Sequence, residues 1–139
     1  MTYMLDTNIC IYIIKQKPLK VLDALKKLDV GDVCVSVVTL AELAYGVAKS
    51  QQRERNTIAL TSFLAPLEIL PLSDKAAVKS GEIRAELEKN GLIIGSYDLL
   101  IAAHALSESL ILVTNNIREF KRVPGLALQN WSDSNQAKP

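Results

Sequence analysis

Short apolar runs alternate with longer amphipathic stretches along the whole chain. Four runs, TYML at 2–5, VCVSV at 33–37, LEILPL at 67–72 and LILVT at 110–114, are rich in branched or aliphatic residues and bounded by turn or capping residues, so they predict buried strands. Helical patterns lie between them. Residues 7–15 and 19–28 form one block, divided by Pro18 in a position suited to a helix's first turn. Residues 39–50 and 54–64 form a second, separated by the polar QQR. The longest pattern, 74–90, has Asp74 as its expected N-cap, an apolar stripe through Ala77, Gly81, Ile83 and Leu87, and Asn90-Gly91 as its stop. At 97–108 the segment LLIAAHAL leaves almost no polar face, which predicts a buried helix. Strands alternating with helices imply an α/β fold with a central parallel sheet and right-handed crossovers. Without an internal repeat or low-complexity linker, residues 1–132 read as one domain, and the polar tail 133–139 as a flexible extension.

Composition narrows the class. With 139 residues, of which 49% are hydrophobic, the chain can bury a core without disulfide or metal staples. No apolar run reaches the roughly 18 residues of a membrane span, and no basic-then-apolar leader opens the chain, so a soluble, cytoplasmic protein is expected. Cys10 and Cys34 sit inside apolar segments, with a single histidine elsewhere to help hold a soft metal, and read as buried reduced thiols. A net charge of +1 does not announce a nucleic-acid binder. Local clusters must supply that signal, and the candidates are Arg118, Lys121 and Arg122 after the fourth strand, and Lys49, Arg53 and Arg55 at the far end of the helix that carries Glu42. Such clusters also serve simply as solvated faces.

The acids change the picture further. In an open parallel sheet, ligands gather at the carboxyl ends of the strands, where loops diverge and helix N-termini point inward. Asp6 ends the first strand at that edge, and either caps the following helix or offers a reactive carboxylate. Glu42 follows the second strand among Leu40, Ala41, Leu43 and Ala44, either as an acid near a helix N-terminus or as a group emerging from a packed surface. Asp98 stands in the first turn of the apolar helix behind Ser96, an expected cap. A carboxylate at the mouth of a buried helix is costly unless something positive meets it. Thr114, Asn115, Asn116 and then Glu119 follow the fourth strand at the same edge.

Three acids converging on one edge repel one another, and a hard divalent cation such as Mg²⁺ or Mn²⁺ relieves that repulsion through oxygen ligands. A carboxylate cage of this kind suits phosphoryl chemistry. His104 lies deep in the apolar helix and reads as structural, no serine or cysteine nucleophile is paired with it, and neither GxxxxGK[ST] nor GxGxxG occurs.

The motifs MLDTNICIYII, SVVTLAELAYGVAKS, IGSYDLLIAAHA and LILVTNNIREFKRVPGL, in this order from about Tyr3 to Trp131, closely resemble a PIN-domain endoribonuclease of the VapC toxin type. The resemblance implies a PIN-like three-layer fold with a mainly parallel sheet of four to five strands, and places the family's acids on Asp6, Glu42 and Asp98. The usual fourth acid falls on Asn116, leaving the metal count open between one and two, with Glu119 as an alternative ligand. Asn8, Thr114 and Asn115 become candidates to orient the ligands. What the resemblance further implies is Mg²⁺- or Mn²⁺-dependent hydrolysis of structured RNA, tRNA among the targets, with water as nucleophile. It also implies a bacterial toxin–antitoxin system, in which a homodimer inhibits translation, is neutralised by a VapB-like antitoxin and meets operator DNA only through that complex. Two other classes fit less well: a phosphatase of the haloacid-dehalogenase type, which wants an acid where Asn8 stands, and a binding module whose acids are only caps.

Overall fold

The computed structural model describes residues 1–132; the expected tail at 133–139 lies outside the described residues. The elements run β1 (Tyr3–Leu5), α1 (Thr7–Lys15), α2 (Leu19–Lys26), a 3₁₀ turn (Val30–Asp32), β2 (Val33–Ser36), α3 (Val37–Ala48), α4 (Arg53–Leu64), β3 (Glu68–Leu70), α5 (Asp74–Lys89), α6 (Ser96–Ser107), β4 (Ile111–Val113), α7 (Ile117–Phe120) and β5 (Leu128–Gln129). All five strands pair in parallel, in the order β3-β2-β1-β4-β5. The α/β class and the flanked parallel sheet expected from the sequence are therefore present. The first strand lies at the centre, and the chain winds outward from it first on one side and then on the other, which places a switch point beside β1.

Alternation along the strands divides the core in two. Met4, Cys34 and Leu112 pack on one face with α5 and α6 residues such as Ile83, Leu87, Leu99 and Ile101. On the other face, Leu5, Val33, Val35 and Val113 pack with Ile9 and Cys10 of α1, Val21 of α2 and Leu43 of α3. This is the three-layer arrangement, and it follows from the two-residue period of the strands. Both cysteines are free and buried, as expected. Burial pushes the Cys34 thiol up to about 12 and the Cys10 thiol well above its usual range, so neither behaves as a nucleophile.

Several boundaries differ from the sequence pattern, and at two of them a serine cap sets the helix start. The second strand stops at Ser36, whose Oγ accepts the Val38 N–H at 3.0 Å and starts α3 two residues earlier than Thr39. Ser73, not Asp74, caps α5, accepting the Ala76 N–H at 3.1 Å. Gly95, not Ser96, occupies the N-cap of α6 and offers no side chain to it. The short α7 and β5 carry too few residues to show a period of their own.

The last strand is held by aromatic packing. Trp131, 2% exposed, meets Tyr3 edge-on with ring centroids 5.8 Å apart, and its indole N–H donates to the Gln129 side chain at 3.0 Å. Trp131→Ala should destabilise the protein by about 3 kcal/mol or more in urea unfolding, the scale of removing a large buried aromatic side chain. A loss below about 1 kcal/mol would mean that β5 is held by its strand pairing alone.

Candidate active site

Asp6 directly follows β1 in extended backbone, and its N–H donates to the Val113 carbonyl at 2.9 Å, extending the pairing of β1 with β4 by one residue. Its Oδ1 accepts the Ile9 N–H at 2.9 Å, so it does cap α1. The Thr114 hydroxyl also donates to this carboxylate, while Thr114 Oγ1 accepts the Asn116 N–H at 2.9 Å. Even so, Asp6 is only 4% exposed, and its pKa is pushed up from 3.8 to about 6. Burial is the main cause; the Thr114 and Ile9 hydrogen bonds oppose it, and the charges of Asp98 and Glu42 add to it.

Glu42 sits half-buried in the second turn of α3 and accepts the Thr7 hydroxyl at 2.6 Å; the Thr39 hydroxyl lies 3.3 Å from the same Thr7 oxygen. Its surroundings are more open than its apolar sequence neighbours suggest, because Ala41 and Ala44 face solvent on the far side of the helix. Asp98, in the first turn of α6, has its carboxyl raised above the usual range, first by burial and then by repulsion from Glu42 and Glu119. The three acids singled out in the sequence thus feel one another across the same edge of the sheet.

The loop after β4 supplies the fourth wall. Asn116 stands at the N-cap of α7, and its Nδ2 donates to Glu119 Oε2 at 2.9 Å, so the amide holds this half-buried carboxylate in place. Asn115 turns the other way: its Nδ2 donates to Tyr12 Oη at 2.6 Å and ties the end of β4 to α1. Asn8 is exposed on the first turn of α1. Arg118 and Lys121 are exposed on and beside α7, whereas the Arg122 guanidinium donates to the Ile93 carbonyl and braces the loop leading into α6. Lys49 and Arg53 are exposed beyond Glu42, with Lys49 Nζ 4.9 Å from the Tyr45 ring centroid. The sequence reading missed Thr7 and Tyr12. Thr7 was signalled only by its place next to Asp6, and Tyr12 by nothing local.

Among the described residues, no three His, Cys, Asp or Glu side chains are drawn close enough to hold a metal ion as they stand. A preformed cage, as the sequence suggested, is therefore not present; the acids lie at repulsive rather than ligating range. The donor chemistry nevertheless fits a hard divalent cation, since the site is all oxygen and two of its carboxyls are penalised for carrying charge.

Comparison with known proteins identifies the family of the fold. The PIN domain family model matches residues 3–126. "Ribonuclease VapC2" of Rickettsia felis is 52% identical over 132 residues, covering 94% of this chain and 98% of the relative. "tRNA(fMet)-specific endonuclease VapC" of Shigella flexneri is 48% identical over 130 residues, covering 94% and 98%. The solved VapBC complex of Salmonella typhimurium, bound to DNA, contains a chain that superposes with a TM-score of 0.89 at 44% identity, covering 94% of this chain and 98% of that one. The VapBC2 complex of Rickettsia felis, bound to promoter DNA, gives 0.87 at 50% identity, covering 94% and 99%. With a family model spanning most of its length and relatives of this identity, the chain belongs to the PIN-domain family, among the VapC ribonucleases.

Proposed function

We propose that this protein is the toxin of a type II toxin–antitoxin pair, an Mg²⁺- or Mn²⁺-dependent endoribonuclease that cleaves tRNA in the bacterial cytoplasm and so halts translation. The observation that carries the reading is the convergence of Asp6, Glu42 and Asp98 at one edge of the sheet, close enough for their charges to raise Asp6 and Asp98. PIN-domain nucleases generally use divalent metal ions. Asp6, Asp98 and Glu42 would hold the ion, with Glu119 and the Asn116 amide oxygen in reserve. A divalent ion there supplies Lewis-acid polarisation of the scissile phosphodiester and activation of the attacking water.

The protein's own groups do the rest. Ile9 N–H and the Thr114 hydroxyl fix the direction of the Asp6 carboxylate, and Thr7 fixes Glu42. Arg118 and Lys121 flank the edge and suit contacts with the RNA backbone, and Lys49 and Arg53 extend such a track past Glu42. Arg122 is committed to the Ile93 carbonyl and contributes through the loop instead. The tRNA target is supported by the name of the Shigella flexneri relative, and an antitoxin partner by the VapBC complexes of Rickettsia felis and Salmonella typhimurium. A VapB-like segment that inserts a cationic side chain among the acids would compete directly with the ion. The toxin is expected to act as a homodimer and to reach operator DNA only through its antitoxin. No helix among the described residues is long and apolar enough to cross a membrane.

Antitoxin-free protein incubated with total tRNA should cleave in Mg²⁺ and not in EDTA. Asp98→Asn should fall by about 100-fold or more, the scale of losing one group that stabilises developing charge, while its circular dichroism stays native. Equal cleavage by both proteins, or cleavage indifferent to EDTA, would defeat the reading.

A second measurement uses the raised carboxyl. Because the folded pKa of Asp6 is about 6 against an ordinary 3.8, its stabilising contribution is complete below pH 3.8 and is lost as pH rises through 6. In chelator, Asp6→Asn should therefore gain on the wild type by about 2 kcal/mol between pH 4 and pH 7 in urea unfolding, and added Mn²⁺ should stabilise only the wild type. Parallel pH profiles for the two proteins would show that Asp6 is not strained by its charge.

A further inference from the structure

His104 is fully buried in α6, among Ile101, Ala102, Ala103 and Ala105 of the same helix, in a position that an aliphatic residue would fill without the cost of desolvating a ring nitrogen. Its Nδ1 lies 2.8 Å from the Oγ of Ser36, another fully buried group, contributed by the end of β2. Ser36 Oγ already accepts the Val38 N–H at 3.0 Å and thereby starts α3. Ser36 Oγ keeps a second lone pair and its own proton, so it can join His104 Nδ1 in a hydrogen bond in either direction. Nε2 completes no hydrogen bond among the described residues, and the Pro71 backbone beyond β3 lies near the ring. One imidazole thus joins α6 to the first turn of α3 and abuts the end of β3.

These are the two helices that carry Asp98 and Glu42. Asp98 lies six residues before His104 on α6, and Glu42 six residues after Ser36 on α3, each about 9 Å along its helix from the shared hydrogen bond. We propose that His104 is a positioning residue for the carboxylate site: through Ser36 it fixes how α6 sits against α3, and so how closely Asp98 can approach Glu42 around a divalent cation. This rests on the nuclease reading above. A slip of about 1 Å between the helices would leave the fold intact and the ligand geometry wrong.

Substitutions separate this role from filling space. Asn carries a polar atom near the position of Nδ1 and can keep the Ser36 bond, whereas Leu fills the volume without one. Mn²⁺ affinity, titrated calorimetrically on protein free of RNA, should weaken about tenfold in His104→Leu and in Ser36→Ala. The double variant should be no weaker than the worse single one, and His104→Asn should stay within about threefold of wild type, because the two groups act through one bond. The KM for tRNA should not move, since no residue proposed to touch the RNA is altered. Unchanged Mn²⁺ affinity in His104→Leu, or equal weakening in His104→Asn and His104→Leu, would overturn the assignment. Should Ser36→Ala fail to fold, the two His104 variants decide alone. Absence of Mn²⁺ binding by the wild type would instead overturn the nuclease reading, and this inference with it.

Discussion

A carboxylate that has lost most of its water is the constraint around which this molecule is arranged. Asp6 ends the central strand, extends its pairing with β4 through its own N–H, and turns the chain into α1 by accepting a helix-terminal N–H. Those are structural tasks that a serine or asparagine could perform at lower electrostatic cost. What sets the acid apart is its neighbours. Thr114 donates to it, yet burial and the charges of Asp98 and Glu42 outweigh that help. The site stores repulsion that a cation can release, and the fold tolerates it because the capping and strand bonds hold the carboxylate where it is.

The surrounding hydroxyls and amides show how that tension is distributed. Thr7 binds Glu42, Asn116 binds Glu119, and Thr114 serves Asp6 and the backbone of the next loop together. Glu42, Glu119 and Asp6 thus each have a neutral donor, Asp98 accepts no hydrogen bond from another described residue, and none of these contacts is a salt bridge. The single ion pair among the described residues, Arg84 with Glu88, lies exposed on α5, far along the chain from these acids. Neutral donors orient a carboxylate without cancelling its charge, which keeps it available to a cation or to a cationic side chain of a partner.

Much of this was legible in the sequence. Four strands and six helices were visible as short apolar runs and helical patterns, and the acids stood out because each followed an apolar run. The details that escaped were set by single side chains. Ser36 and Ser73 moved helix starts by capping, and β5 is fixed by Trp131 packing on Tyr3 across most of the length of the chain. The partnership of Thr7 with Glu42, and of His104 with Ser36, joins positions far apart in sequence, so no local pattern announces it. The imidazole read as a structural residue is buried as expected; its reach to the start of α3 appears only in three dimensions.

The central place of β1 has a consequence for the order of events during synthesis. The first strand emerges first, but its partner β4 comes only near the end of the chain, and Tyr3 pairs with Ile111. Until β4 is in place, Asp6 lacks both the Val113 carbonyl and the Thr114 hydroxyl, and Asp98 has no anchored helix to stand on. Such distant parallel pairing is slow to form. The acids are therefore brought to one edge only when the final third of the chain, carrying Asp98 and β4, has folded back onto its first few residues.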